Sequence, residues 1–388
     1  MSLDFDSSRL FNPHLTEEHR AWREALRRFI DLEIMPYAEE WDEVGLIPTE
    51  LWAKASAIGL LGLGYPEALG GTPCDSWHSW IVNEELARIG VGGIPASLMV
   101  HGIGLPPIIN WGSSDMQIRV VPPVLRGEKW ISLGITEPGG GSDVANLATT
   151  AERDGDHFVV NGSKTYITGA MRANWVSTAV RTGGTGASGV SMLLIPTDAE
   201  GFSRFPLERK MGWWASDTAT LYFDGVRVPV TNLIGAENEG FKVIMTNFNN
   251  ERMGMAASME AFGRVCLEEA VSWASERRTF GKRLADHQVI RHKIAKMKQK
   301  LNATQAYIRL CYESIERRDA NPGDIALLKV QASEVMEYCA REAMQILGGI
   351  GYMRGNRVER IYREVRVNAI GGGSEEIMRD LAARQYGL

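Results

Sequence analysis

Residues 128–237 cannot continue the helical pattern that flanks them, and this break constrains the fold more than any other feature of the sequence. Four β-rich runs follow one another here, at 157–160, 175–180, 190–195 and 219–223. Turn residues separate them: Asp154-Gly155, Asn161-Gly162, Gly183-Gly184 and Asp224-Gly225. Short runs with turn chemistry between them predict a small antiparallel barrel or sandwich.

The flanks read differently. Before residue 128, Thr16 can cap a helix whose apolar positions Trp22, Leu26, Phe29 and Ile30 share one face, and Pro36 ends that pattern. A second helix is expected near Pro48, a loop over 59–71 and a third helix near 77–89. After Gly240 a helix is expected over about 244–275. Ile290, Ile294, Met297, Leu301, Ile308, Cys311 and Ile315 then recur at helical spacing, with Asp286 as the expected cap. A further stripe, Leu328, Val335, Cys339, Ala343 and Ile346, stops at Gly348-Gly349. The expectation is a multidomain α+β chain: a helical domain over 1–127, a β-domain over 128–237 and a helical bundle over 238–388. A length of 388 residues agrees, being too great for one ordinary core.

Composition narrows the function. A chain that is 44% hydrophobic and 23% charged has the profile of a soluble globular protein. A net charge of −6 argues against general affinity for nucleic acid or anionic membranes. Cys74, Cys266, Cys311 and Cys339 show no metal-ligand spacing, so neither a metal site nor a disulfide framework is expected and a reducing cytoplasm fits. The opening MSLDFDSSRL has neither an apolar signal core nor an Arg-rich transit pattern, and no apolar run is long enough for membrane insertion.

Four glycine-bearing or basic motifs carry the chemistry. The string Ile135-Thr-Glu-Pro-Gly-Gly-Gly-Ser-Asp143 lets backbone N–H groups approach a flat or anionic ligand, although alone it reads as a plain loop. No βαβ unit surrounds it, which excludes a dinucleotide fingerprint of the GxGxxG type. Glu276-Arg-Arg-Thr-Phe-Gly-Lys282 falls at a helix break, where Arg277 could pair with a phosphate or simply face solvent. Gln345-Ile-Leu-Gly-Gly-Ile-Gly351 ends a helix, and Ile370-Gly-Gly-Gly-Ser374 precedes the last one, with Ser374 as its cap.

Together with Asn-Gly-x-Lys-x-x-Ile-Thr at 161–168, these motifs occur in an order that resembles the FAD-dependent acyl-CoA dehydrogenase family, over nearly the whole chain. The base placement resembles the long-chain and isovaleryl-CoA dehydrogenases. The resemblance implies that the C-terminal part is a four-helix bundle, that FAD reaches into a neighbouring subunit, and that the protein is a homotetramer, a dimer of dimers. It implies that Leu133, Ile135, Thr136, Gly141 and Ser142 touch the flavin or its ribityl chain, and that Tyr166 and Thr168 cover one edge of the ring. It implies Arg277 and Thr279 at the pyrophosphate with Phe280 packing nearby, and Gln288, Gln345 and Gly349 at the adenosine half. Ser374 and Glu376 stand where further cofactor contacts are made. Ser142, Arg252, Gly371 and Gly372 would meet the acyl-CoA.

The implied reaction is α,β-dehydrogenation of an acyl-CoA thioester to the trans-2-enoyl-CoA, with electrons passed to an electron-transfer flavoprotein. The thioester oxygen needs preorganised donors, one of them a backbone N–H in the loop before the last helix. Most of the family carries its catalytic Glu in that loop. Here Gly372 stands in its place and keeps only the backbone. In the long-chain and isovaleryl enzymes the base sits on the bundle helix immediately before an Arg, and Phe248-Asn-Asn-Glu-Arg252 puts Glu251 there. An apolar pocket would raise its pKa toward neutrality. The plainer reading pairs Glu251 with Arg252 or Lys242. Glu375 and Glu376 are rival bases that fit better in the first turn of the last helix, and Asp143 fits loop support. Trp213, Trp214, Leu98 and Met99 could shape the pocket or merely pack. The competing functions are a flavin oxidase or monooxygenase of the same fold, a nucleic-acid-associated member, which a pI near 5.8 disfavours, and a plain helical scaffold.

Overall fold

The structure, a computed structural model, describes residues 3–388. Its contacts gather into two compact units, each discontinuous in sequence. One joins the chain up to Glu40 with Cys74–Gly92 and Asn249–Leu388; the other joins Trp41–Pro73 with Gly93–Phe248.

The first unit is helical. Its principal helices are α1 (Glu17–Glu33), α2 (Ser76–Ala87), α3 (Gly240–Glu276, from Asn249 on), α4 (Gln288–Arg317), α5 (Pro322–Leu347), α6 (Arg357–Ile370) and α7 (Glu375–Gln385). Helix α5 is central: it packs on α4, α6 and α7. The core takes the expected stripes, with Met297, Leu301, Ile308 and Cys311 of α4 against Leu328, Val335, Cys339, Ala343 and Ile346 of α5. The cap of α4 falls one residue later than expected. Asp286 closes a short 3-10 turn, Leu284–Asp286, where it accepts from the backbone N–H of Arg283 (3.1 Å), and His287 becomes the N-cap. At the other end of the unit, the backbone N–H of Thr16 donates to His19 Nδ1 (3.1 Å), and His19 Nε2 lies 3.0 Å from Asp75, the cap of α2.

A buried ion cluster ties three segments of this unit together. Arg264 on α3 is fully buried and donates to Glu260 Oε2 (3.0 Å), to the carbonyl of Phe5 (3.1 Å) and to Glu84 of α2. Glu84 also accepts from Arg23 of α1 (2.8 Å). Burial opposes ionisation of Glu84, but Arg9, Arg264 and Arg23 outweigh it and hold the carboxyl down to about 2.

The second unit holds one mixed sheet flanked by short helices such as Glu50–Ala57 and Ser114–Leu125. Its strands are β1 (Ile131–Gly134), β2 (Thr150–Asp154), β3 (His157–Thr168), β4 (Trp175–Arg181), β5 (Val190–Pro196), β6 (Phe202–Pro206), β7 (Thr218–Pro229) and β8 (Leu233–Ile234). They are ordered β6-β7-β3-β2-β4-β5-β8. The expected multidomain α+β class holds; of the antiparallel barrel or sandwich expected at its centre, no barrel closes among the described residues and the sheet is mixed. Strand β1 pairs with β4 in parallel, from Ile131 opposite Trp175 to Gly134 opposite Thr178, and β2 meets the same strand at Arg181. With β1 and β2 sharing one edge of β4, the sheet runs open from β6 to the two-residue β8. Strands β1, β2, β6 and β8 are the ones the sequence did not announce; each is short, and β2 and β6 are largely exposed, so none carries a clear alternation. Among the described residues no helix is long and apolar enough to cross a membrane, and the cysteines form no disulfide.

The Arg264 cluster yields a stability prediction. Arg264→Met leaves Glu84 and Glu260 buried with a main partner gone and is expected to lower unfolding stability by about 3–5 kcal/mol. Adding Glu260→Gln is expected to recover part of that loss; denaturant titration of the three proteins checks it.

Candidate active site

In the sheet unit, a buried ion pair fixes the glycine-rich loop. Lys164 of β3 is fully buried, and its Nζ lies 2.7 Å from Glu137 Oε1 and donates to the carbonyl of Ile135 (3.1 Å). Glu137 in turn accepts from the backbone N–H groups of Ala148 (2.6 Å) and Thr149 (2.9 Å). Burial works against the Glu137 charge, yet the Lys164 ammonium and these hydrogen bonds keep its carboxyl below its ordinary value; burial pushes the ammonium itself down to about 8. The turn closes through paired hydrogen bonds between Glu137 and Gly140, both 3.1 Å. Residues 138–143 are thereby held out in solvent. A Cβ at Gly139 or Gly140 would meet nothing, so the loop backbone is open to approach. Asp143 accepts from the Asn146 side chain (2.7 Å), the loop-supporting role expected of it.

Leu133, Ile135, Thr136, Gly141 and Ser142 therefore lie along one segment running from β1 into this turn. Tyr166 and Thr168 join it, because the Thr165 N–H donates to the Thr136 carbonyl (2.9 Å). Register shifts between Lys164 and Ile167 mark a bulge, where Tyr166 takes φ +59° and stands 69% exposed. A left-handed backbone at a bulky residue is strained, and strain of this kind gathers at functional positions. Of the pocket candidates, Leu98 is core, and Trp214 Nε1 donates to the Lys210 carbonyl (2.7 Å).

In the helical unit, α3 brings Glu251 and Arg252 to the loop before α7. The Nε of Arg252 donates to the carbonyl of Gly372 (3.1 Å). Lys329 of α5, fully buried, donates from Nζ to the carbonyls of Ala369 and Gly373, both at 2.8 Å. Two cations thus clamp the carbonyls of this loop from α3 and α5. Burial pushes the Lys329 ammonium down to about 8, with the charge of Glu375 acting the other way. Gly372 sits at φ +67°, and a Cβ built on it would come 3.9 Å from Glu251 Oε1. Glu251 and the loop backbone therefore face the same small space.

Glu251 Oε2 is out of solvent contact and has no hydrogen-bond partner. Burial raises the pKa of this carboxyl, against the charges of Arg252 and Lys329. Of the two partners in the plainer reading of Glu251, Arg252 acts on it through its charge, and Lys242 lies over the Trp111 ring at 4.9 Å. The rivals are placed elsewhere: Glu375 accepts from Ser333 Oγ (2.6 Å), and Glu376 is exposed in the first turn of α7, which Ser374 caps.

The Arg277 motif forms a two-stranded hairpin, Arg278–Thr279 against Lys282–Arg283. Its turn residues Phe280 and Gly281 both take positive φ, +49° and +81°, as a tight two-residue hairpin requires. This leaves Phe280 96% exposed. Thr279 Oγ1 lies 3.2 Å from His287 Nε2, which brings the hairpin to the start of α4 and to Gln288. Gln345 and Gly349 are exposed at the C-terminal end of α5.

Comparison with known proteins decides what this arrangement belongs to. The acyl-CoA dehydrogenase N-terminal, middle and C-terminal domain models match residues 16–128, 132–226 and 238–387. The chain belongs to the acyl-CoA dehydrogenase family. It is 38% identical over 404 residues to acyl-CoA dehydrogenase AFT10-1 of Alternaria alternata, covering 97% of this chain and 93% of that one. It is 34% identical over 373 residues to the mitochondrial long-chain specific acyl-CoA dehydrogenase of Rattus norvegicus, covering 95% and 86%. A solved structure described as a probable acyl-CoA dehydrogenase from Mycobacterium abscessus superposes with a TM-score of 0.94 at 45% identity, covering 96% and 99%. The chain is an oxidoreductase of a family that is FAD-dependent, acts on acyl-CoA and serves fatty-acid and branched-chain catabolism.

Sequence reading missed three residues that hold the acyl-CoA dehydrogenase loops: Glu137, Lys164 and Lys329. Two left a signal. Lys329 falls on the buried face of α5, four residues after Ile325 and three before Ala332, and Lys164 falls on the inward face of β3 with Phe158 and Val160. A charged residue on an apolar face is a buried group in need of partners.

The raised pKa of Glu251 makes a signed prediction. A carboxyl whose pKa is higher folded than unfolded favours the fold while protonated, and that contribution is lost as pH rises through the folded value. Glu251→Gln should therefore raise the unfolding temperature at pH 8, with the gain vanishing at pH values below the ordinary carboxylate pKa. Thermal scans of the two FAD-loaded proteins across pH check it; a gain that grows toward acid contradicts it.

Proposed function

We propose that this acyl-CoA dehydrogenase uses Glu251 as the base that removes the α-proton of an acyl-CoA thioester, giving the trans-2-enoyl-CoA. The observation that carries the reading is the unpartnered, solvent-shielded Oε2 of Glu251 beside Gly372, the position at which the commoner base is missing. A carboxylate oxygen with no hydrogen-bond partner is free to accept a proton, and burial raises the pKa of this carboxyl, as a general base requires. Arg252 donates to the carbonyl of Gly372 and so fixes the loop backbone, whose Gly372 N–H would be the donor to the thioester oxygen. Charge that develops on this oxygen as the α-proton leaves is then met by a fixed dipole.

The residues present fit FAD. Open space beside Gly139, Gly140 and Gly349 supports backbone approach by a flat or anionic group, and the exposed rings of Tyr166 and Phe280 offer apolar surface. Leu133, Ile135, Thr136, Gly141, Ser142, Tyr166 and Thr168 would hold the flavin half. Arg277, Thr279, Phe280, Gln288, Gln345, Gly349, Ser374 and Glu376 would hold the remainder, Arg277 acting as a planar donor to phosphate. When bound, FAD supplies the acceptor for the hydride that leaves the β-carbon. Ser142, Arg252, Gly371 and Gly372 would position the thioester, Arg252 through the loop carbonyl it holds. Likeness to a long-chain specific dehydrogenase makes long acyl chains the first substrates to try. Family membership supports electron-transfer flavoprotein as the physiological acceptor and a homotetramer as the assembly.

The test is anaerobic bleaching of the flavin by palmitoyl-CoA and isovaleryl-CoA. Glu251→Gln should keep FAD and still bind acyl-CoA, but reduce the flavin more slowly by a factor of about 100 or more. Near-normal reduction by that variant overturns the base assignment.

A further inference from the structure

Three residues in succession, Gly371, Gly372 and Gly373, each meet a different obstacle to a side chain. A Cβ at Gly371 would come 3.1 Å from the Val367 carbonyl, and one at Gly373 would come 2.4 Å from Met378 Cε. At Gly372 the obstacle is Met255: the Cβ would stand 2.8 Å from its Sδ and 3.8 Å from its Cε. Contacts below 3.0 Å are essentially never seen for a real Cβ, so the Met255 thioether, the far end of a flexible side chain, holds this space as packed and must swing aside before a residue-372 side chain can enter it. Met255 is four residues beyond Glu251 on α3, on the same helix face. It packs against the helical core and also lies 3.8 Å from the Cβ position of Gly371.

We infer that Met255 is the positioning residue that commits proton abstraction to α3: it fills the volume a loop carboxylate would need, so the loop offers the substrate only backbone. This rests on the reading of Glu251 as the base. Met255 and a side chain at 372 are alternatives for one volume. A carboxylate restored at 372 becomes productive only once Met255 is cut back.

Two measurements test it. The first is a double-mutant cycle read as unfolding temperature on the FAD-loaded protein. Gly372→Ala carries the strain of φ +67° in any background, so that cost cancels in the cycle. The contact with Met255 does not cancel. The loss caused by Gly372→Ala should therefore be smaller in a Met255→Ala background; an equal or larger loss overturns the inference. The second is flavin bleaching by the faster of palmitoyl-CoA and isovaleryl-CoA in a Glu251→Gln background. Adding Gly372→Glu alone should give no recovery, whereas Gly372→Glu with Met255→Ala should recover about tenfold or more over Glu251→Gln with Met255→Ala, a part of what a general base supplies. Recovery with Met255 intact overturns the inference, as does no recovery in a triple variant that is folded and loaded with FAD. Failure of the base reading is told apart by Glu251→Gln alone: near-normal bleaching there removes that reading, and the inference built on it, before any substitution at 372.

Discussion

Arg264 is the constraint on which the helical unit depends. It is a fully buried cation whose donors reach three segments far apart in sequence, at Phe5, Glu84 and Glu260. A charge taken out of water is tolerated only where its partners are fixed, and fixing them sets the axial position and rotation of α3. Glu251 and Arg252 lie on the same helix, roughly 20 Å toward its N-terminus. The direction in which Glu251, the proposed base, faces is therefore decided partly by a charge cluster centred more than three helical turns away.

A second regularity concerns the glycine loops. A run of glycines gives close backbone approach but cannot hold its own shape, because each glycine is conformationally permissive. In both units a buried lysine supplies what is missing. Lys164 binds the Ile135 carbonyl and pairs with Glu137 below one loop, and Lys329 binds the Ala369 and Gly373 carbonyls below the other. Each lysine donates to carbonyls of its loop and so limits the conformations its glycines can take.

How much of this was legible in the sequence differs by feature. The long stripes of α4 and α5 were plain, because many apolar residues repeat on one face and local signals agree with the packing that results. The sheet was legible as strands but not as a topology: the pairing of β1 with β4 links residues 131 and 175, and no local pattern announces a parallel partner. The motif residues were found by resemblance. What that reading could not supply was the charge environment. The missing partner of Glu251 Oε2, the clamp by Lys329 and the sulfur beside Gly372 are facts about neighbours 40 to 120 positions away, which spacing along the chain does not encode.

The discontinuity of the helical unit has a consequence for how the protein is made. Its core includes Phe5, Trp77 and Trp80 near the start of the chain and Met336, Ala340 and Val365 near the end. The sheet unit, by contrast, is complete once Phe248 has been added. At about 5–20 residues per second, the aromatic residues of the first segments wait roughly 10–50 s for α3 to emerge and cover them. The nascent chain therefore carries unburied tryptophan through about half of its synthesis, a window in which apolar surface is open to wrong partners.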